Sequence, residues 1–139
     1  MTRTVADTNI VVSAFLWGGA PRGVLDMARR KTIALFTSAA LIAELEEVLA
    51  REKFAKRIAE VGSSVVEMVG DYLALAKLVR PAAHPSVVRD PDDDEVIACA
   101  LAAEAEVIVS GDADLLALGT YQDIAILTAT QMLRRIATT

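Results

Sequence analysis

Residues 4–15 read TVADTNIVVSAF, and residues 106–116 read EVIVSGDADLL. In each, a short apolar run rich in β-branched residues stops on an aspartate, Asp7 in the first and Asp112 in the second. Such runs suit buried strands. A carboxylate where a strand meets the core is costly unless something compensates its charge. What makes both placements tolerable decides how the chain is read.

Outward from these two runs, strands alternate with helices. Residues 3–6 predict a first strand that flows into a helix over IVVSAFLW, and GGAPRG (18–23) breaks the chain before a short helix over PRGVLDMARR. TIALFTS (32–38) predicts a second strand, after which Thr37 or Ser38 caps a helix over AALIAELEEVLAREKF, residues 39–54. Residues 63–79 continue as a helix whose main apolar positions are Val65, Val66, Val69, Leu73 and Leu75. RPAAHPSVV (80–88) is a loop leading to a short extended piece. Pro91 then opens a helix that runs to about Glu104. A strand over EVIVS, a short helix over DADLLAL, a last strand over IAILT and a closing helix over TATQMLRRIA complete the chain. This alternation predicts an α/β fold with a mostly parallel sheet covered on both faces. Ligands of such folds bind beyond the carboxyl ends of the strands. Asp7 and Asp112 both fall at such ends, so one rim would hold both.

The 139 residues suit one domain spanning 1–139, with a hydrophobic fraction of 54% to supply its core. No apolar run approaches the roughly 20 residues of a membrane span, and the first residues lack the zones of a signal peptide. A single cysteine, Cys99, excludes an internal disulfide. A cytoplasmic protein with no membrane partner is expected. The formal charge of −5 argues mildly against nucleic acid as a partner. The acids are clustered, however, and a divalent ion in an acidic pocket reverses the local sign.

Each acidic group also has a plain structural reading. In LIAELEEVL, the apolar stripe Leu41, Ile42, Leu45, Val48 and Leu49 is flanked by Glu44 on one side and Glu46 on the other, and periodicity does not choose between them. In RDPDDDEVIACAL, Asp90 suits an N-cap, and the acids of the first turn complement the helix dipole. Val96, Ile97, Ala100 and Leu101 define the inner face there. Asp93 projects toward the middle of that face, and Asp94 lies at its edge. An EF-hand is excluded because Glu95 stands where the loop needs glycine. Gly111–Asp112 could be a simple turn, with Asp114 capping the short helix. Together, though, acids at two strand ends and on two helices could converge as four carboxylates, which do not all remain ionised unaided. Mg²⁺ or Mn²⁺ suits such an all-oxygen site.

Other chemistries are poorly supplied. The only histidine, His84, lies between prolines, and Cys99 sits in an alanine-rich helix as a small core residue. Neither phosphate-binding glycine motif occurs. Trp17, before Gly18 and Gly19, reads as a loop anchor, with an exposed partner contact as its second reading.

ADTNIVVSAFLWGGAPRGVL, TSAALIAELEEVLAREKF and DPDDDEVIACALAAEAEVIVSGDADLL together resemble the PIN-domain family, within it the VapC-like toxin components of toxin–antitoxin pairs. The resemblance spans nearly the whole chain. It implies a Rossmann-like three-layer α/β/α sandwich and a ribonuclease that uses Mg²⁺ or Mn²⁺. By resemblance, Asp7 takes the first acidic position, Glu44 the second, Asp94 the third and Asp112 the fourth. Asn9 and Ser110 match polar positions that line the pocket. DEVIACAL favours Asp94 as the third acid, whereas the core-face argument prefers Asp93, and both are retained. The implied mechanism activates a water by metal, with Asp94 or Asp112 orienting it or taking its proton. Arg22, Arg51 and Lys53 would steer RNA. A homodimer and a small antitoxin partner are implied by the resemblance alone. Two rivals stand beside it. One is a haloacid-dehalogenase-type phosphohydrolase using Asp7 as nucleophile, against which Asn9 counts. The other is a non-catalytic binding module whose acids are helix caps.

Overall fold

The computed structural model describes residues 1–82 and 91–137, with side chains of 91 and 92 omitted. The loop expected over 80–88, its histidine and its extended piece, together with the Asp90 cap, fall largely or wholly outside these residues.

Period-2 alternation in the strands builds three layers. β1 (Thr2–Ala6) lies between β2 (Ile33–Thr37) and β4 (Val107–Val109), parallel to both. On β4, Ile108 faces one core while Val107 and Val109 face the other, and on β1 Val5 and Ala6 divide in the same way. The first core is closed by α1 (Thr8–Leu16), α2 (Gly19–Arg29), α3 (Ala39–Leu49), α5 (Val65–Leu75) and α8 (Ala129–Ala137). The second is closed by α6 (Pro91–Ala102) and α7 (Ala113–Leu118). The fold is a three-layer α/β sandwich with a mostly parallel sheet, as the alternation predicts.

Three expectations are corrected. The helix expected over 39–54 is two helices, because Ala50 closes α3 and Arg51 swings to extended backbone before α4 (Glu52–Glu60). The stretch 63–79 ends in a two-residue strand, β3 (Lys77–Leu78), beside β2. Its helix turns Met68, Val69 and Tyr72 inward, leaving Val66 82% exposed and Leu73 on the surface. On α6, Cys99 rather than Leu101 joins the inner face. A further short strand, β5 (Thr120–Tyr121), pairs antiparallel with β6 (Ile124–Leu127) at the edge.

The sheet order β3-β2-β1-β4-β6-β5 positions the site. The chain winds outward from β1 through β2 to β3, then returns to lay β4 on the other side of β1. Between β1 and β4 the connections diverge to opposite sides, which opens a crevice at the carboxyl ends. Asp7 follows β1 directly, and Ser110 follows β4 directly.

Candidate metal centre

Backbone pairing fixes the two strand ends before any side chain acts. Asp7 N–H donates to Val109 O at 3.0 Å, and Ser110 N–H donates to Leu127 O at 2.9 Å. Asp7 is only 5% exposed and is the N-cap of α1, its Oδ1 accepting from Ile10 N–H at 3.0 Å. Its Oδ2 accepts a short hydrogen bond from the fully buried Ser110 Oγ. Ser110 Oγ in turn accepts from Asp112 N–H at 2.9 Å. Asp112 caps α7, with Oδ1 accepting from Asp114 N–H at 2.9 Å and Leu115 N–H at 3.1 Å. Capping is therefore a role of both aspartates, and the cap of α7 is Asp112 rather than the expected Asp114, which lies inside the helix. Capping does not exhaust the pair, because the capping bonds of Asp112 use Oδ1 alone and leave Oδ2 for another partner.

These groups meet in a cavity of about 200 Å³ lined by Asp7, Thr8, Asn9, Glu44, Val48, Arg51, Asp93, Val96 and Asp112. The two flanking acids of α3 separate by placement: Glu44 lines this cavity, whereas Glu46 lies on the side of α3 facing α5. Asp93, 7% exposed in the first turn of α6, lines it as well. Asp94 is half-buried and is not among the lining residues. Asn9 stands exposed at the rim. Of the three cations expected to steer a substrate, Arg51 lines the cavity while pairing with Glu47 at 3.5 Å. Arg22 and Lys53 are exposed outside it.

The donor set fits a hard divalent ion. One carboxylate oxygen each from Asp93, Asp112 and Asp114 lies within 4.8 Å of the others. Opposite oxygens in an octahedral Mg²⁺ shell are about 4.2 Å apart, so little closure is needed. Asp114, expected as a cap, joins the group instead, and its place two residues after Asp112 is the signal the sequence offers for it. Thr8 adds a buried Oγ1 with no hydrogen-bond partner among the described residues, at the lining of the same cavity. The N-termini of α1, α6 and α7 bring partial positive charge to this group, which offsets part of the carboxylate repulsion.

Burial raises the Asp7 pKa above its ordinary 3.8, and nearby Asp112 adds to the rise against hydrogen bonds from Ser110, Ile10 and Gly111. The folded, metal-free chain thus binds more protons than the unfolded chain between pH 3.8 and the raised value. The stability that Asp7 contributes is greatest below its unfolded pKa and is lost as pH rises through its folded one. Asp7→Asn keeps a capping side chain and has no charge to bury. In chelator, calorimetry from pH 4 to 8 should show the variant melting above the native chain at neutral pH, with the difference narrowing toward acid.

Cys99 is fully buried, and burial pushes its thiol up to about 12. A thiol reagent should therefore leave the native chain unlabelled at pH 8 and label it fully in denaturant, and native labelling would contradict the core role.

No curated protein is significantly similar in sequence. A solved structure, VapBC2 from Rickettsia felis bound to a DNA fragment from its promoter, matches with a TM-score of 0.62 at 14% identity. The match covers 90% of this chain and 97% of that one, a likeness of fold. The sequence pattern of the PIN domain matches residues 3–114. PIN domains are generally nucleases that hold divalent ions with acidic side chains. With that match running over most of its length, the chain belongs to the PIN-domain family.

Proposed function

We propose that this chain is a Mg²⁺- or Mn²⁺-dependent endoribonuclease and the toxin of a type II toxin–antitoxin pair. In this reading it is one nuclease domain, cytoplasmic and homodimeric, inhibited by a small antitoxin. The observation that carries the proposal is the convergence of Asp7, Glu44, Asp93 and Asp112 on one cavity at the sheet's switch point. The VapBC2 likeness supports a partner of antitoxin type. Among the described residues no helix is long and apolar enough to cross a membrane.

Asp7, Glu44, Asp93 and Asp112 would hold the ion, with Asp114 adjoining. A bound Mg²⁺ or Mn²⁺ supplies Lewis acidity and neutralises charge on the phosphate. The chain's own groups do the positioning. Ser110 holds the Asp7 carboxylate with its hydroxyl, and the Asp112 N–H orients that hydroxyl. Asp112 Oδ2, which the capping bonds leave unused, would orient the attacking water beside the ion. Arg51 at the cavity meets the scissile strand's phosphate.

Single-stranded RNA should be cut when Mn²⁺ or Mg²⁺ is present, stop being cut in chelator, and be cut again on adding the ion back. Mn²⁺ should also raise the melting temperature of the native chain. A phosphohydrolase would instead release phosphate from small phosphomonoesters, and a binding module would show neither activity nor Mn²⁺ stabilisation. Either result would displace the ribonuclease reading.

A further inference from the structure

Trp17 lies at the end of α1, whose first cap is Asp7, and it is 60% exposed. An anchor would be buried, so this role is corrected. The side chain is nevertheless held in place. Arg57 on α4 donates from Nε to Leu16 O at 2.7 Å, which fixes its guanidinium with Cζ 4.7 Å from the Trp17 ring centroid. Gly18 and Gly19, with φ of 85° and 65°, turn the chain sharply after the tryptophan. A Cβ placed on Gly18 would come 3.9 Å from Arg22 Nη1, so a second guanidinium stands beside the same turn.

Two helices link this pair to the acidic cavity. α1 begins at Asp7 and ends against Trp17. α4 begins at Arg51 and carries Arg57 near its end. Asp7 and Arg51 both line the cavity, so the far parts of both helices meet where Arg57 covers Trp17. At 1.5 Å per residue, Trp17 lies about 15 Å along α1 from Asp7, a distance that a few nucleotides of single strand can span. Lys53 and Arg57, four residues apart, share one face of α4 between the two ends. An exposed indole backed by a cation, reached along a row of cations, has the composition of a base-stacking platform.

We propose that Trp17, backed by Arg57, stacks a base of the single-stranded RNA whose phosphodiester lies in the acidic cavity, with Lys53 and Arg22 contacting the intervening phosphates. This rests on the ribonuclease reading. It adds a subsite that sets how many nucleotides the substrate needs beyond the cut.

Trp17 is the chain's only tryptophan, so its fluorescence reports this site alone. The Asp7→Asn chain in chelator is titrated with a short, end-labelled oligoadenylate, following label anisotropy and tryptophan emission together. Emission should be quenched along the anisotropy curve, whereas inorganic polyphosphate should bind without quenching. Adding Trp17→Ala should weaken oligoadenylate binding about tenfold, and Trp17→Phe should recover part of that loss. If the oligonucleotide binds while the emission and the Trp17→Ala affinity stay unchanged, the platform is overturned and Trp17 is left as a surface for another protein. Cleavage by the native chain in Mn²⁺ separates the two failures. Cleavage with a silent Trp17 sinks the platform alone, while no binding and no cleavage sinks both.

Discussion

Asp7→Asn should reduce metal-dependent RNA cleavage by about a thousandfold or more while leaving the chain folded. Asparagine is as good an N-cap as aspartate, so α1 keeps its bond to Ile10 N–H. What the variant loses is a negative charge at the centre of the carboxylate group. A metal's charge stabilisation of the transition state is worth several kcal/mol, and about 4 kcal/mol corresponds to three orders of magnitude in rate. Ser110→Ala should cost less, because it loosens the Asp7 carboxylate without removing it. Single-turnover cleavage in Mn²⁺, with circular dichroism as the control for folding, measures both. Native-like rates from a folded Asp7→Asn protein would remove the carboxylate cluster from the chemistry.

That expectation begins with a placement readable from two short runs. β4 and the last three residues of β1 (Thr4–Ala6) are buried on both faces, so they lead as short covered runs into the polar residues that mark the rim. The α6 start was similarly visible from its proline and acids. The edge strands β3 and β5 were not, because two residues hold no periodicity. The break between α3 and α4 has no glycine or proline to announce it. It arises from the extended backbone of Arg51, which sends α4 toward Trp17. The α5 stripe misled because Val66 and Leu73 continue an apolar pattern on the surface, whereas Tyr72 supplies the buried bulk. Glu44 and Glu46 flank their stripe symmetrically, so only the neighbours of α3 distinguish them. The cavity lies on one side of that helix and α5 on the other. A helical wheel contains no neighbours.

The third acid is a sharper case of the same limit, and it yields the second large expected effect. The spacing within DEVIACAL points to Asp94, and the inner face of α6 points to Asp93. Asp93 is the one that is almost fully covered, lines the cavity and offers an oxygen within 4.8 Å of those of Asp112 and Asp114. Asp93→Asn should therefore lower cleavage and Mn²⁺ affinity by about a hundredfold, the upper end of what losing even an outer partner of a metal ligand costs. Asp94→Asn should change cleavage by only about threefold. Its main loss is a favourable charge in the first turn of a helix, worth about 0.3–1 kcal/mol of stability. Titration calorimetry with Mn²⁺ and cleavage rates for the two variants form the comparison. A collapse in Asp94→Asn with Asp93→Asn near native would overturn the assignment of Asp93 as the third acid.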